Sequence, residues 1–147
     1  KPVTASSSAE NWGWYRHCAT DGERGTPDAC RGWTSWDLTQ FNHQEWVQVD
    51  LEGVYSVRRV VLYPRSDGQQ AGYGWPVNFH IEVSEDGQRW VRVVERRNEP
   101  LPEGPQAFEF GPVQARYVRI TGTSLRSNPF DRDNFTMQFS EIEVYEN

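Results

Sequence analysis

The chain has 147 residues, the length of one domain with a sizeable core, and we predict a single domain over residues 1–147. Its formal net charge is −6 and it has no basic block, which disfavours polyphosphate contacts, so no nucleic-acid partner is expected. Seven Trp, six Tyr and seven Phe against one Met favour strands over helices.

Short stretches of alternating apolar and polar residues, bounded by Gly, Pro, Asp or Asn, predict strands along the chain. Val47, Val49 and Leu51 share one face of the first strand, and a turn at Glu52-Gly53 is expected to follow it. The predicted strands are residues 46–51, 57–63, 79–83, 91–93, 107–110, 116–121 and 138–145. About seven short strands indicate an antiparallel sandwich or barrel.

Turn residues indicate where the chain reverses direction, and two cysteines flank one such stretch. Asp86-Gly87 predicts a tight hairpin after residue 83. Turn residues separate Cys18 from Cys30, which favours a disulfide and a secreted protein, with two free thiols as the alternative. Three long loops, residues 8–18, 64–78 and 122–137, are expected to carry the function.

The ordered series of strand segments supports a resemblance to a known family. Residues 46–51, 60–65, 76–84 and 115–120, with Asp86-Gly87 between the last two, resemble the discoidin domain, the coagulation-factor type C family. The resemblance covers residues 6–145. It implies an all-β fold, an antiparallel β-sandwich of the jelly-roll type.

Other segments resemble a subgroup of that family. Residues 5–14, 32–35, 63–67 and 72–76 resemble bacterial carbohydrate-binding modules, nearest to the calcium-dependent L-rhamnose-binding modules of family 67, with family 32 as the neighbouring group. This implies a secreted, monomeric, non-catalytic module that tethers a catalytic domain to a polysaccharide or glycan with a terminal sugar.

The resemblance also implies a structural calcium ion. Asp21, in an Asp-Gly pair, and Glu141, near the C-terminal end, would supply its carboxylates. Calcium suits such a place because it accepts six to eight oxygen ligands in loose geometry. The alternative is an ordinary Asp-Gly turn and a surface glutamate.

A second calcium ion is implied at the rim of the sugar site. Its expected side-chain ligands are Glu10, Asn11 and Asp67, and the alternative is that these are solvated turn residues. The residues expected to bind the sugar are Glu10, Asn11, Trp12, Arg65, Ser66, Asp67, Tyr73, Asp133 and Asn134.

Aromatic side chains near these loops can stack on the apolar face of a sugar. About half of the set formed by Trp12, Trp14, Tyr15, Tyr73 and Trp75 is expected to be core, with Trp12 and Tyr73 exposed. Arg65 would donate a forked pair of hydrogen bonds to hydroxyls or else brace a carboxylate of its own loop.

The Asp- and Asn-rich stretch of residues 128–135 is interpreted as a specificity loop that supplies Asp133 and Asn134, with a plain turn as the alternative. His17, His43 and His80 lack zinc spacing, and no nucleophile elbow occurs, so no enzyme is expected.

Two alternatives remain. One is a galactose-type sugar binder without rim calcium. The other is a protein- or lipid-binding discoidin domain, although the acidic loops and the lack of a membrane-length apolar run argue against a membrane.

Overall fold

A computed structural model of the protein describes all 147 residues, and nearly all of its regular elements are strands. The strands are β1 Val3–Ala5, β2 Trp33–Thr34, β3 Glu45–Tyr63, β4 Asn78–Ser84, β5 Val91–Arg96, β6 Gln106–Ser124, β7 Arg126–Asn128, β8 Asn134–Thr136, β9 Gln138–Phe139 and β10 Glu141–Tyr145. Two short 3₁₀ turns, Arg16–Thr20 and Gly68–Gln70, complete the list. None of the helical segments has the length and apolarity needed to cross a bilayer.

The strands form an antiparallel β-sandwich, as expected. In the main sheet the order is β1-β3-β6-β4-β5, and β10 pairs with the second half of β3. β2 pairs with β9, and β7 pairs with β8, as two smaller ribbons. These ribbons lie among the loops at one end of the sandwich and help to shape it.

The predicted turn at Glu52-Gly53 is wrong. Glu52 adopts a left-handed backbone conformation with φ of 66°, but the chain does not reverse. Asp50 pairs with Tyr117 and Tyr55 pairs with Ala115, so the irregularity is a bulge inside one 19-residue strand. The segments predicted at 107–110 and 116–121 likewise belong to the single strand β6.

One core of 21 buried residues fills the sandwich. Phe79, Ile81 and Val83 of β4 all face it, as predicted. β5 departs from the prediction: Val91 is exposed, whereas Val94, which pairs with Ile81, is buried, and a register shift between the Ile81 and Glu82 pairs leaves Val93 without a partner.

The predicted crosslink is present, and the predicted hairpin forms with a longer loop than expected, since six residues, 85–90, separate β4 from β5. Cys18 and Cys30 form a disulfide, with 5.5 Å between their Cα atoms. The loop between β4 and β5 is held by Ser84, whose hydroxyl accepts the N–H of Gly87, and by Asp86, whose carboxylate accepts two further backbone N–H groups. The disulfide closes a surface loop that packs beside the loop end of the sandwich.

Candidate functional site

A cavity of about 170 Å³ opens among the loops at one end of the sandwich. Segments that are far apart in sequence meet there, because the strands that precede and follow them pair in the sheets. The lining residues are Asn11, Trp12, Trp14, Thr34, Asp37, Arg65, Gln70, Phe130, Asp131 and Gln138.

The floor of the cavity is polar and tightly held. The guanidinium carbon of Arg65, a buried residue, lies 5.0 Å from the ring centroid of Trp14, also buried. One Nη of Arg65 donates to Oε1 of Gln138 at 3.3 Å, and Nε2 of Gln138 donates to the hydroxyl of Thr34 at 3.0 Å. These groups therefore have fixed positions before any ligand arrives.

The rim combines exposed rings with oxygen-bearing side chains. Trp12 is 82% exposed and Phe130 is 51% exposed, and the Phe130 ring packs edge-on against Tyr73, with 5.7 Å between centroids. Asn11 contributes an amide, and Asp37 and Asp131 contribute carboxylates. Flat apolar faces beside hydrogen-bonding groups match the two kinds of surface that a sugar ring presents.

Asp67 lies behind the floor rather than in the cavity lining. Arg65 donates to its two oxygens from Nε at 2.5 Å and from Nη2 at 2.9 Å, so Arg65 braces a carboxylate of its own loop, as the second of the two interpretations proposed. Arg31 adds a third hydrogen bond to Asp67, at 3.1 Å. Two guanidinium groups therefore compensate the charge of this carboxylate.

Glu10 lies at the same end of the molecule but has other partners. Its Oε2 accepts the backbone N–H of Arg16 at 2.8 Å and the hydroxyl of Ser8. Glu10 and Trp12 have left-handed backbone conformations, with φ of 52° and 53°. This binding loop, residues 10–14, is thus a strained segment that its hydrogen bonds hold in place.

Of the nine residues predicted to bind the sugar, three line the cavity: Asn11, Trp12 and Arg65. The others are Glu10, Ser66, Asp67, Tyr73, Asp133 and Asn134. Ser66 faces a neighbouring groove, where its hydroxyl contacts that of Thr26. Tyr73 is half-buried behind Phe130, so the expectation that it is exposed is wrong.

The loop between β7 and β8 contributes different residues from those predicted. Asn134 is buried, while Phe130 and Asp131 at the tip reach the cavity. The side chain of Asn128 accepts the N–H of Phe130, which is the Asx turn given above as the alternative. The sequence identifies this loop but not the orientation of its tip.

Four further lining residues, Thr34, Asp37, Gln70 and Gln138, were not predicted as site residues. Thr34 and Gln138 belong to the short strands β2 and β9, which pair with each other at the floor. Asp37 could have been predicted, because it lies two residues after the Thr34-Ser35 segment, which resembles carbohydrate-binding modules.

Asp21, inside the disulfide loop, and Glu141, at the start of β10, form a second cluster. Glu141 is 3% exposed, its Oε2 accepts the N–H of Gly22 at 2.9 Å, and its Oε1 is buried without a hydrogen-bond partner. Burial raises the pKa of Glu141 to about 8, and the nearby carboxylate of Asp21 contributes to the rise. An unpaired buried carboxylate oxygen beside a second carboxylate fits a hard cation.

The sequence of this chain is similar to that of a known protein family. The family model of the F5/8 type C domain matches residues 2–136. Among curated proteins, the non-catalytic subunit of the venom prothrombin activator pseutarin-C from Pseudonaja textilis is 26% identical over 110 aligned positions, and the match covers 66% of this chain. The chain spans only 7% of the length of that relative.

Solved structures resemble the chain over almost its whole length. Chitosan-binding module 1 of a chitosanase/glucanase from Paenibacillus sp. IK-5 has 26% identity and a TM-score of 0.72, covering 99% of this chain and 94% of that one. CpGH89CBM32-5 from Clostridium perfringens, solved with GalNAc-β-1,3-galactose, has 18% identity and a TM-score of 0.76, covering 98% and 94%. The family 32 module of NanJ from C. perfringens, solved with galactose, has 17% identity and a TM-score of 0.76, covering 99% and 93%.

Proposed function

The chain belongs to the F5/8 type C domain family, and we propose that it is a non-catalytic carbohydrate-binding module whose sugar site is the cavity at its loop end. The observation that carries the proposal is the composition of that cavity. Two exposed rings, Trp12 and Phe130, stand beside amide and carboxylate groups over a floor fixed by Arg65.

The size of the cavity suits one sugar unit rather than a buried chain. A volume of about 170 Å³ accommodates one ring, and the opening leaves room for the next unit to leave the site. Few hydroxyls and one ring face are engaged in such a site, so affinity for a single sugar is on the order of micromolar to millimolar. A terminal sugar of a glycan or polysaccharide is the ligand class that this favours.

The related structures support a carbohydrate ligand but name several different sugars. Chitosan is the ligand named for the Paenibacillus module, and galactose and GalNAc-β-1,3-galactose for the clostridial ones. The motif resemblance adds L-rhamnose, which is the first sugar to test. Galactose, bound without rim calcium, is the second.

A structural calcium ion at Asp21 and Glu141 is the metal that the residues support best. The partnerless Oε1 of Glu141 would gain a ligand, and the cation would offset two adjacent carboxylates. When bound, the ion would join the disulfide loop to β10. This would stabilise the fold from which the binding loops project.

A rim calcium ion held by Glu10, Asn11 and Asp67 requires rearrangement. Both oxygens of Asp67 accept hydrogen bonds from arginines, and Glu10 caps the N–H of Arg16. A cation at the rim would have to displace these donors. Calcium dependence of sugar binding is therefore proposed to act through the structural site, with the rim site as a separate outcome of the test below.

The biological role that follows is targeting. A weak, single-site module becomes useful when it is tethered, because attachment to a secreted glycan-active enzyme raises the effective concentration of that enzyme at its substrate. The disulfide is consistent with an oxidising, extracellular setting. The module itself would contribute binding and no chemistry.

A glycan array probed in calcium and then in chelator tests this function. We expect signals from a small group of glycans that share a terminal sugar, with L-rhamnose, galactose and glucosamine termini as the three groups to compare. Calorimetry with the best sugar would then be repeated for Asp67→Ala and Glu141→Gln. Loss of calcium dependence only in Glu141→Gln supports the structural ion, and loss only in Asp67→Ala supports the rim ion.

One observation favours a second candidate function. Trp36, Leu38 and Phe41 are 48%, 58% and 69% exposed on one loop beside the cavity. Exposed apolar side chains on a loop suit a lipid or protein partner. Sedimentation with neutral and anionic liposomes tests it: binding that Phe41→Ser abolishes favours a lipid ligand, and no binding to either liposome leaves the sugar function as the better account.

A further inference from the structure

Arg31 occupies an unusual position between the disulfide loop and the sugar cavity, although it lines neither the cavity nor the calcium cluster. It directly follows Cys30, and its side chain is only partly exposed. A planar guanidinium can hold several acceptors in a fixed geometry, which a lysine ammonium cannot do to the same extent. The backbone N–H of Arg31 and all three of its side-chain nitrogens have hydrogen-bond partners.

Two of these partners belong to the binding loop. The backbone N–H of Arg31 donates to the carbonyl of Gly13 at 2.6 Å, and its Nε donates to the carbonyl of Trp12 at 2.9 Å. Trp12 has an unfavourable left-handed backbone conformation, so these two bonds offset conformational strain at the residue that carries the most exposed ring of the site.

The other two partners are carboxylates. Nη1 of Arg31 donates to Oδ2 of Asp67 at 3.1 Å, and Nη2 donates to Oδ1 of Asp28 at 2.6 Å. Asp67 in turn holds Arg65 of the cavity floor through two hydrogen bonds. Arg31 thus bonds both to the backbone of Trp12 at the rim and to Asp67, which holds Arg65 at the floor.

The binding loop and the disulfide loop are also in direct backbone contact. A Cβ atom on Gly13 would collide with the carbonyl oxygen of Asp28, so only glycine allows this approach. Cys18, at the other end of the crosslink, is fully buried in the 3₁₀ turn Arg16–Thr20. The disulfide therefore ties the residue before Arg31 to a fixed point of the fold.

We propose that Arg31 is the positioning residue of the sugar site, setting the place of Trp12 and of the Asp67–Arg65 pair, and that the Cys18–Cys30 disulfide holds Arg31 in register. The proposal rests on the proposed function only for its sugar readout. Arg31 itself makes no contact with the ligand. Its effect is preorganisation, which lowers the cost of ordering the site when a sugar binds.

The test compares Arg31→Ala, Arg31→Lys and the double variant Cys18→Ser/Cys30→Ser with the unmodified protein. Calorimetry well below the melting temperature should show sugar affinity reduced by about tenfold or more in Arg31→Ala, because both rim and floor lose their brace. Arg31→Lys should recover only part of the loss, since one ammonium cannot reach the Trp12 carbonyl and the carboxylates of Asp67 and Asp28 together. The double variant should also weaken binding.

Arg24→Ala is the matched control. Arg24 lies in the same disulfide loop and makes a forked ion pair, but with Glu143, away from the cavity. Its loss should leave sugar affinity within about twofold of the original value, because exposed pairs contribute little. Combining Arg31→Ala with the cysteine variant should cost little beyond the larger single effect, because both changes act on one support.

A sugar-free readout separates this proposal from the proposed function. In ¹⁵N NMR spectra, Arg31→Ala should shift or broaden the Nε–H signal of Arg65 and the indole signal of Trp12, while the indole of Trp46, on the open face of the sheet, stays unchanged. A protein that binds no sugar contradicts the proposed function, and the NMR comparison then decides the positioning role alone. Unchanged Arg65 and Trp12 signals, or undiminished sugar affinity, in Arg31→Ala would overturn it.

Discussion

At the scale of single residues, the site depends on a few side chains whose surroundings set their role. Trp12 and Trp14 are two positions apart, yet one is 82% exposed at the rim and the other is buried under Arg65. In a regular strand, residues two positions apart would face the same side, so sequence spacing alone does not explain this difference in exposure. The left-handed backbone at Trp12 and at Gly13 turns the first ring outward and the second inward.

Substitution of Trp12 by alanine should separate binding from stability. The loss of a stacking face is expected to weaken sugar binding by about tenfold, equivalent to roughly 1.4 kcal/mol. The melting temperature should stay nearly constant because the ring is largely solvent-exposed. Calorimetry and thermal melting measure the two effects. Trp12→Phe should retain part of the affinity. If Trp12→Ala binds the sugar as tightly as the unmodified protein does, the Trp12 ring does not belong to the site.

Glu141 gives a pH prediction for the calcium-free protein. Its pKa is raised from 4.5 to about 8 in the folded state, so the folded protein binds the proton more tightly than the unfolded chain does. The associated stability is fully present below pH 4.5 and is lost as pH rises through 8. In chelator, the melting temperature should therefore fall by about 5 °C or more between pH 5 and pH 9.

Calcium and a neutral variant complete this experiment. Added calcium should raise the melting temperature more at pH 8 than at pH 5, because the ion binds the deprotonated carboxylate. Glu141→Gln should show neither the pH effect nor the calcium effect. A chelated wild-type protein with constant stability over this range, or a calcium response that survives Glu141→Gln, would count against the assignment.

At the scale of elements, the turn before β4 is what joins the floor of the site to the sheet. Gly74 has φ of +93°, and a Cβ atom there would lie 2.5 Å from Cβ of Gln138. The N–H of Gln138 donates to the carbonyl of Gly74 at 2.9 Å. Only glycine combines this conformation with so close an approach.

Gly74→Ala should therefore destabilise the fold by about 2 kcal/mol or more, through backbone strain and a clash at the floor. Chemical denaturation measures the free energy of unfolding directly. Gly104→Ala is the control, since a Cβ atom there meets nothing within 4 Å and the change should be small. Equal stability of the two variants would show that the turn is not a tight constraint.

Alternating strands and turn signals predicted most of this architecture. The hydrophobic face of β4 is set by the local period, and this prediction is confirmed. The hairpin at Asp86-Gly87 is also present, but its loop of six residues is longer than the tight turn that the pair predicts. The Glu52-Gly53 prediction failed because a turn-like pair also suits a bulge, and only the pairing with β6 distinguishes the two. Register shifts, such as the one at Val93 in β5, leave no local signal in the sequence.

At the scale of the whole molecule, the sandwich brings distant loops to one end, and this is why only part of the site was predictable. Asn11, Trp12 and Arg65 lie in loops that the sequence marks clearly. Thr34 and Gln138 reach the cavity only because β2 pairs with β9, a contact between segments about 100 residues apart. Composition cannot reveal which side of a loop faces a cavity.

The same architecture separates support from recognition. Asp21, the disulfide and Arg31 lie within or next to the disulfide loop, residues 18–30, which contacts Glu141 of β10 on one side and the binding loop on the other. None of these groups lines the cavity. Members of the F5/8 type C family can therefore share the sandwich while differing in the residues at the rim, since loop residues change without disturbing the core.

Titration of the ¹⁵N-labelled protein with its best glycan, followed by NMR, tests whether the cavity at the loop end is the sugar site. We expect shifts to concentrate at the Trp12 indole, the Asn11 and Gln70 side-chain amides and the backbone near Phe130. The signals of β5, at the far edge of the sheet, should not move. Shifts centred on another face, or none with any glycan that the array selects, would contradict this assignment.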